Sequence, residues 1–233
     1  EADGLLEQVS TIHCLVIRNV DTKEVLSYTS RDIPGSAGNI KEGVQYLKDN
    51  STLIIGHNII GYDLAVIDKL YDVIFNVHYF DTLIASKLRF SNLPMLDSNS
   101  SKIPQKLKGS HSLKAWGYRL GEFKGEYNDW SALTEEMLEY CIQDTFVTLK
   151  LYDKLKDLYP KAMDVEMKFK TIITRQELFG WSFNISKAQK LHVELLTEAE
   201  EIRKDVLNTF KPLPDGDINT ENTNLFLDIV SLS

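Results

Sequence analysis

Apolar and polar residues alternate through His13-Cys14-Leu15-Val16-Ile17-Arg18 and again through Val25-Leu26-Ser27-Tyr28, with turn-rich residues 19–24 between them. A period of two on either side of a turn predicts a β-hairpin. Pro34, Gly35, Ser36 and Gly38 end that pattern, and Asn39 stands as a cap before Ile40, Val44 and Leu47 at helical spacing. The run Leu53-Ile54-Ile55-Gly56 is too short for a helix and predicts a buried strand. Helices are predicted over 63–70 and over 81–89, the latter with Asp81 as its N-cap. Residues 91–109 show no period and read as a loop, long enough to expect a functional or mobile connection. Helical spacing returns over 112–120 and most strongly over 135–156, where Thr134 caps and Glu135 and Glu136 suit the first turn. The pattern stops at Leu158-Tyr159-Pro160. Two helices follow, broken at Phe179-Gly180-Trp181, and the second carries Ala188, Leu191, Leu195, Ala199, Ile202, Leu207 and Phe210 on one stripe. Strands alternating with helices are an α/β signature. Such a helix pair cannot close a core alone, so the pattern divides the chain at about residue 160, and the loop at 212–217 leaves the second part short.

Composition narrows the class. With 43% hydrophobic and 26% charged residues, the 233-residue chain can build a core, and collagen-like, low-complexity and disordered classes are excluded. No apolar run reaches the ~18–20 residues of a membrane span, and no signal-peptide core opens the chain, so the expectation is a soluble, cytoplasmic protein without a membrane partner. Cys14 and Cys141 are too few for a disulfide framework or a Cys-rich zinc site. A net charge of −8 excludes coating nucleic acid through bulk positive charge. It leaves room for carboxylates gathered around metal ions. The chain opens on Glu1 rather than Met, which reads as a trimmed or partial polypeptide.

Three acidic features carry candidate chemistry. In Gly56-His57-Asn58-Ile59-Ile60-Gly61-Tyr62-Asp63 a strand ends, a tight turn follows, and a carboxylate opens a helix. Strand ends are where α/β sheets place functional groups, although alone Asp63 reads equally as a helix cap. Tyr140 and Asp144 stand four apart on the long helix, on a face that Val147 and Leu151 continue. That face turns inward, and an inward carboxylate is costly unless paired or bound to a cation. Glu1, Asp3 and Glu7 form a third acidic group just before the hairpin.

Together, an acid beside the first strand, Asn58-x-x-x-Tyr62-Asp63 and Tyr140-x-x-x-Asp144 resemble the three motifs of the DEDDy 3′→5′ exonucleases. Two stretches, residues 1–7 and Gly109 to Glu122, look more narrowly like the proofreading domain of family A replicative DNA polymerases of the podovirus-phage type. The resemblance implies a ribonuclease H-like mixed five-stranded sheet flanked by helices, in an exonuclease domain over 1–160, then a partial helical segment over 161–233 that opens the polymerase region. It implies a phage-infected or bacterial cytoplasm, two Mg²⁺ or Mn²⁺ ions, and as partners a single-stranded DNA or primer 3′ end, the remainder of the polymerase chain and a processivity factor. Hard oxygen ligands suit those ions, which explains carboxylates rather than His or Cys. The first motif matches only in its Glu. Its Asp, with the central strand carrying it, is expected two residues before Glu1.

By the same resemblance Glu1 and Asp144 hold the metal that activates water and Asp63 the second. Tyr140 orients the attacking water, because a phenol ionising near pH ~10 is a poor neutral-pH base. Leu5 wedges against the terminal base, and Asn58 contacts the terminal nucleotide. Residues 101–125 add independent support, with six basic residues against one acid, interleaved with Trp116, Tyr118 and Phe123. Lys102, Lys106, Lys108 and Lys124 suit a DNA track, with Trp116 and Tyr118 leaning towards core roles. His111 suits either a phosphate or a local hydrogen bond. His57 reads as structural, Asp81 as a helix cap, and Cys141 has no neighbouring base for thiol chemistry. Two alternatives stay open: a stand-alone DEDDy exoribonuclease, and a primer-end-binding module that has lost cleavage.

Overall fold

The alternating segments at the start of the chain fold as an antiparallel hairpin in the computed structural model, which describes residues 1–122, 127–157 and 159–210. Strands β1 (Cys14–Arg18) and β2 (Val25–Thr29) pair with Cys14 opposite Thr29 and Arg18 opposite Val25. The two-residue β3 (Gly38–Asn39) adds to β2 in parallel and feeds α1 (Ile40–Asn50). Asn39 and Glu42 form a reciprocal capping box at that junction, satisfying two backbone donors that would otherwise be orphaned.

A second pair of strands stands apart. β4 (Leu53–Gly56) and β5 (His78–Asp81) run parallel, joined by the crossover helix α2 (Asp63–Tyr71), with Gly56 opposite Asp81. The predicted single five-stranded sheet is corrected here. The described residues hold five strands, but in sheets of three (β1-β2-β3) and two (β4-β5). The α/β class with helices flanking mixed small sheets stands. The strand β5 is an addition, since four residues reading His-Tyr-Phe-Asp show no period on their own.

Helix α3 (Thr82–Arg89) follows its predicted N-cap, Asp81, and α5 (Leu113–Leu120) begins after Ser112, which caps it. The stretch 91–109 contains short helical turns that its composition hides: α4 (Leu93–Asp97) and a 3₁₀ turn at Gln105–Leu107. The long α6 (Glu135–Leu155) buries Met137, Leu138, Cys141, Val147, Leu149, Leu151 and Leu155 against both sheets. Arg18 of β1 fastens it, with Nε donating to Thr145 Oγ1 at 3.1 Å and Nη2 to the Ile142 carbonyl at 3.3 Å. Helix α7 (Pro160–Phe179) packs on α3 and β5 through Met163 and Met167 and closes the compact unit Glu1–Phe179. A second unit begins at Gly180 and contributes α8 (Ile185–Thr209), capped by Asn184. Among the described residues no helix is long and apolar enough to cross a membrane.

Candidate active site

Between β1 and β4 lies a cleft of about 750 Å³. Its walls are the strands Leu15–Ile17 and Leu53–Ile55, with Leu149 and Tyr152 from α6, and Glu1, Asp63 and Asp144 line it together with Asp21 and Glu24 of the hairpin turn. In sequence Glu1, Asp63 and Asp144 stand 62 and 81 residues apart. The fold brings them to one place because α2 starts where β4 ends and α6 crosses both sheets.

Each acid is placed by a local device. Glu1 is held beside the hairpin by strand-like bonds: its ammonium donates to the Cys14 carbonyl at 2.7 Å and its own carbonyl accepts from His13 N at 2.8 Å. Ala2 continues the line as an antiparallel bridge to Ile12. Asp63 follows a tight turn in which Asn58 is left-handed, at φ 64°. Asn is among the few non-glycine residues that take this conformation readily as single residues. Gly56 and Gly61 make the turn possible, since a Cβ on Gly56 would lie 2.6 Å from Ile59 Cβ and one on Gly61 2.6 Å from Asn58 Oδ1. Asp144 sits mid-helix on α6, one turn after Tyr140.

Electrostatics mark the cleft as unusual. Burial lifts the Asp63 carboxyl to about 6, aided by the nearby Glu1 carboxylate and opposed by the Glu1 ammonium. Burial and then Glu1 lift Asp144 to about 7, again with the ammonium pulling the other way. Asp63 and Asp144 therefore each feel the Glu1 carboxylate. The donor chemistry suits a hard divalent ion. Among the described residues, however, no three His, Cys, Asp or Glu side chains close on a common ion position.

The other predicted residues divide. Leu5 is 73% exposed on the turn after Glu1, and that turn is tied to α2 by the Tyr62 hydroxyl on the Gly4 carbonyl and by Lys69 Nζ on the carbonyls of Leu6 (2.9 Å) and Glu7 (3.0 Å). Tyr140 packs in an aromatic group with Tyr127 and Trp130, ring centroids 6.1 and 5.8 Å away. Lys102 and Lys106 are exposed, whereas Lys108 turns its ammonium to the Ser98 carbonyl at 2.8 Å. His111 takes the local of its two readings, Nδ1 lying 3.0 Å from Ser86 Oγ, with burial lowering its pKa. Lys124, with Phe123, lies outside the described residues. His57 is structural as expected: Nδ1 meets Thr82 Oγ1 at 2.9 Å, and burial lowers its pKa to about 4.

Three features escaped the sequence. Arg119 is withdrawn from the basic stretch by a two-pronged bond to Asp97 (3.2 and 2.6 Å) and stacks over Trp116, which is 2% exposed and belongs to the core. Cys14 and Cys141, both buried, bring their sulfurs to 3.2 Å across the β1–α6 contact. Asp81, fully buried, caps α3 and also accepts hydrogen bonds from the Asn58–Ile60 turn. No local period or spacing announces any of these pairings; only the cap at Asp81 was readable.

Residues 11–159 match the family described as 3′-5′ exonuclease. The chain is 32% identical over 259 aligned residues to the DNA-directed DNA polymerase of Escherichia phage T7, and equally to that of Enterobacteria phage T3. Each alignment covers 90% of this chain but 36% of the relative, so the chain spans little more than a third of those proteins' length. Among solved structures it is similar to Brucella melitensis NrnC, with a TM-score of 0.47 and 21% identity over 74% of this chain and 87% of that one.

Proposed function

The chain belongs to the 3′-5′ exonuclease family, and from that premise we propose that it removes nucleotides from the 3′ end of single-stranded or frayed DNA by a two-metal-ion hydrolysis, as the proofreading part of a DNA polymerase. The observation that carries this reading is the meeting of Glu1, Asp63 and Asp144 along one cleft.

Phosphodiester hydrolysis needs an activated water and relief of charge on the phosphate and on the departing 3′-oxygen; bound Mg²⁺ or Mn²⁺ ions supply both. Glu1 and Asp144 would hold one ion and Asp63 the other. The raised proton affinities of Asp63 and Asp144 follow first from desolvation, with the Glu1 carboxylate adding to it, and cation binding would reverse them. Asn58, beside Asp63, would contact the last nucleotide, and exposed Leu5 would press on its base. Tyr140, a turn from Asp144, would position the water. Lys102 and Lys106 offer exposed positive charge to the approaching strand. Residues 1–160 form the exonuclease in this reading, and 161–233 open the polymerase region.

The reading includes one strand more. The bonds of Glu1 to His13 and Cys14 and the Ala2–Ile12 bridge fix an antiparallel register beside β1. Residues preceding Glu1 on that line would run along β1's free edge into the cleft that parts the two sheets. Side chains alternate along a strand, so the residue two before Glu1 shares its face, turned to Asp63 and Asp144. An Asp there would supply the ligand that the open arrangement lacks.

The test is release of 3′ nucleotides from labelled DNA and RNA strands by protein carrying an N-terminal extension with Asp or Asn two residues before Glu1. The expected result is Mg²⁺-dependent cleavage of DNA, abolished by chelator, that requires the Asp. Cleavage that ignores chelator would overturn the metal reading, and a preference for RNA ends would favour the exoribonuclease. Binding of primer ends without cleavage would leave a non-catalytic module.

A further inference from the structure

The turn that carries left-handed Asn58 and leads into Asp63 is hydrogen-bonded to a side chain 21 to 23 residues downstream. Asp81 ends β5 opposite Gly56, the residue that ends β4. Its side chain is fully buried and its two oxygens accept three backbone N–H groups: Oδ1 from Asn58 at 2.9 Å and from Leu83 at 2.9 Å, Oδ2 from Ile60 at 3.2 Å. The bond to Leu83 is an ordinary helix cap. The other two lie outside α3 altogether. They grip the left-handed Asn58 and the residue two beyond it, after which Gly61 N and Tyr62 N both return to the Asn58 carbonyl (3.1 and 3.0 Å) and α2 begins at Asp63. On its backbone side Asp81 is fixed in turn, its N–H directed at Met167 Sδ at 3.3 Å.

We propose that Asp81 is a positioning residue of the nuclease site: its carboxylate clamps the Asn58–Ile60 turn and so sets where Asn58 and Asp63 stand along the cleft. This deepens the proposed function and rests on it for the role of Asp63. Carboxylate chemistry is required because three donors converge on two acceptor oxygens. An amide of the same shape replaces one oxygen by NH₂ and sets donor against donor. Asp81 touches neither metal nor substrate in this scheme. It acts through the turn.

The test compares Asp81→Asn with Asp97→Asn, which alters a buried carboxylate remote from the turn, and with Asp63→Asn. Amide hydrogen exchange at Asn58 and Ile60, Mn²⁺ binding followed by electron paramagnetic resonance, and thermal melting are measured on each. For Asp81→Asn the expectation is exchange at both amides at least about tenfold faster and Mn²⁺ affinity about tenfold weaker. Asp97→Asn should lower the melting temperature while moving neither. If Asp81→Asn melts early but leaves both readouts at wild-type values, Asp81 is a cap only and the inference falls. Should Asp81→Asn not fold, Asp81→Glu, which keeps the charge but advances the oxygens by one methylene, is expected to show the same two changes; wild-type values in that variant overturn the clamp. If Asp63→Asn binds Mn²⁺ as tightly as wild type, the metal reading of Asp63 fails, while the clamp is still judged by amide exchange.

Discussion

The protein sets its carboxylates in two environments. Around α3 and α5 each has committed hydrogen-bond donors: Asp81 has three backbone amides, and Asp97 has the Arg119 guanidinium and the Gly109 amide at 2.8 Å. The Arg119 bonds hold the Asp97 carboxyl below its ordinary value against the pull of burial. Along the β1–β4 cleft, desolvation first, with the Glu1 carboxylate adding to it, lifts Asp63 to about 6 and half-buried Asp144 to about 7. A carboxylate matched by donors stabilises the fold it sits in. One crowded against another acid in a cleft is held there at a cost to stability.

The contrast can be broken or sharpened by experiment. The largest effect is expected from Asp144→Asn, which should reduce Mg²⁺-dependent 3′ cleavage by ~10²-fold or more while leaving the melting temperature equal or higher. Equal activity in the variant would place Asp144 with the structural acids. Next comes Arg119→Met, which strands Asp97. Breaking a buried pair costs about 3–5 kcal/mol, so melting should fall by roughly 10 °C, with cleavage per folded molecule retained.

The pH dependence is smaller, and its sign sets Asp97 apart from the cleft acids; Asp81, which burial raises despite its three donors, follows the latter. Asp63 and Asp144 keep protons in the folded state up to about pH 6 and 7, whereas the unfolded chain releases them near 3.8. The native state thus binds more protons between pH 4 and 7, and stability from these groups falls as pH rises through that window. Asp97, with its lowered value, contributes stability that is complete above the unfolded carboxylate value and is lost as pH falls through its folded one. Melting curves of wild type and Asp144→Asn between pH 5 and 8, with and without Mg²⁺, read the first effect directly. Mg²⁺ should flatten the wild-type decline. The smallest change is expected from charge reversal at Lys102 and Lys106, which should weaken single-strand binding and reduce its salt slope by about 1.4. Reversal at Lys108, already bonded to Ser98, should alter loop stability more than binding.

Much of the plan was written locally. The hairpin, the Asn39, Asp81, Ser112 and Thr134 caps, and the turn–Asp63 and Tyr140–Asp144 pairs each depend on residues within a few positions, where side-chain periodicity and capping act. Those features sufficed to single out two acids of the cleft and the class of fold. What the chain alone left undecided involves partners distant in sequence. His78–Asp81 became a strand because β4 lay beside it, and Asp81 became a clamp because that pairing set it opposite Gly56. Arg119 was counted towards nucleic acid until Asp97 claimed it, and Cys14 met Cys141 only when α6 crossed β1. Local pattern fixes which face a residue shows, since backbone geometry repeats over a few residues. Which group that face meets is settled by packing between distant segments, and there the difference between a satisfied carboxylate and one awaiting a cation arises.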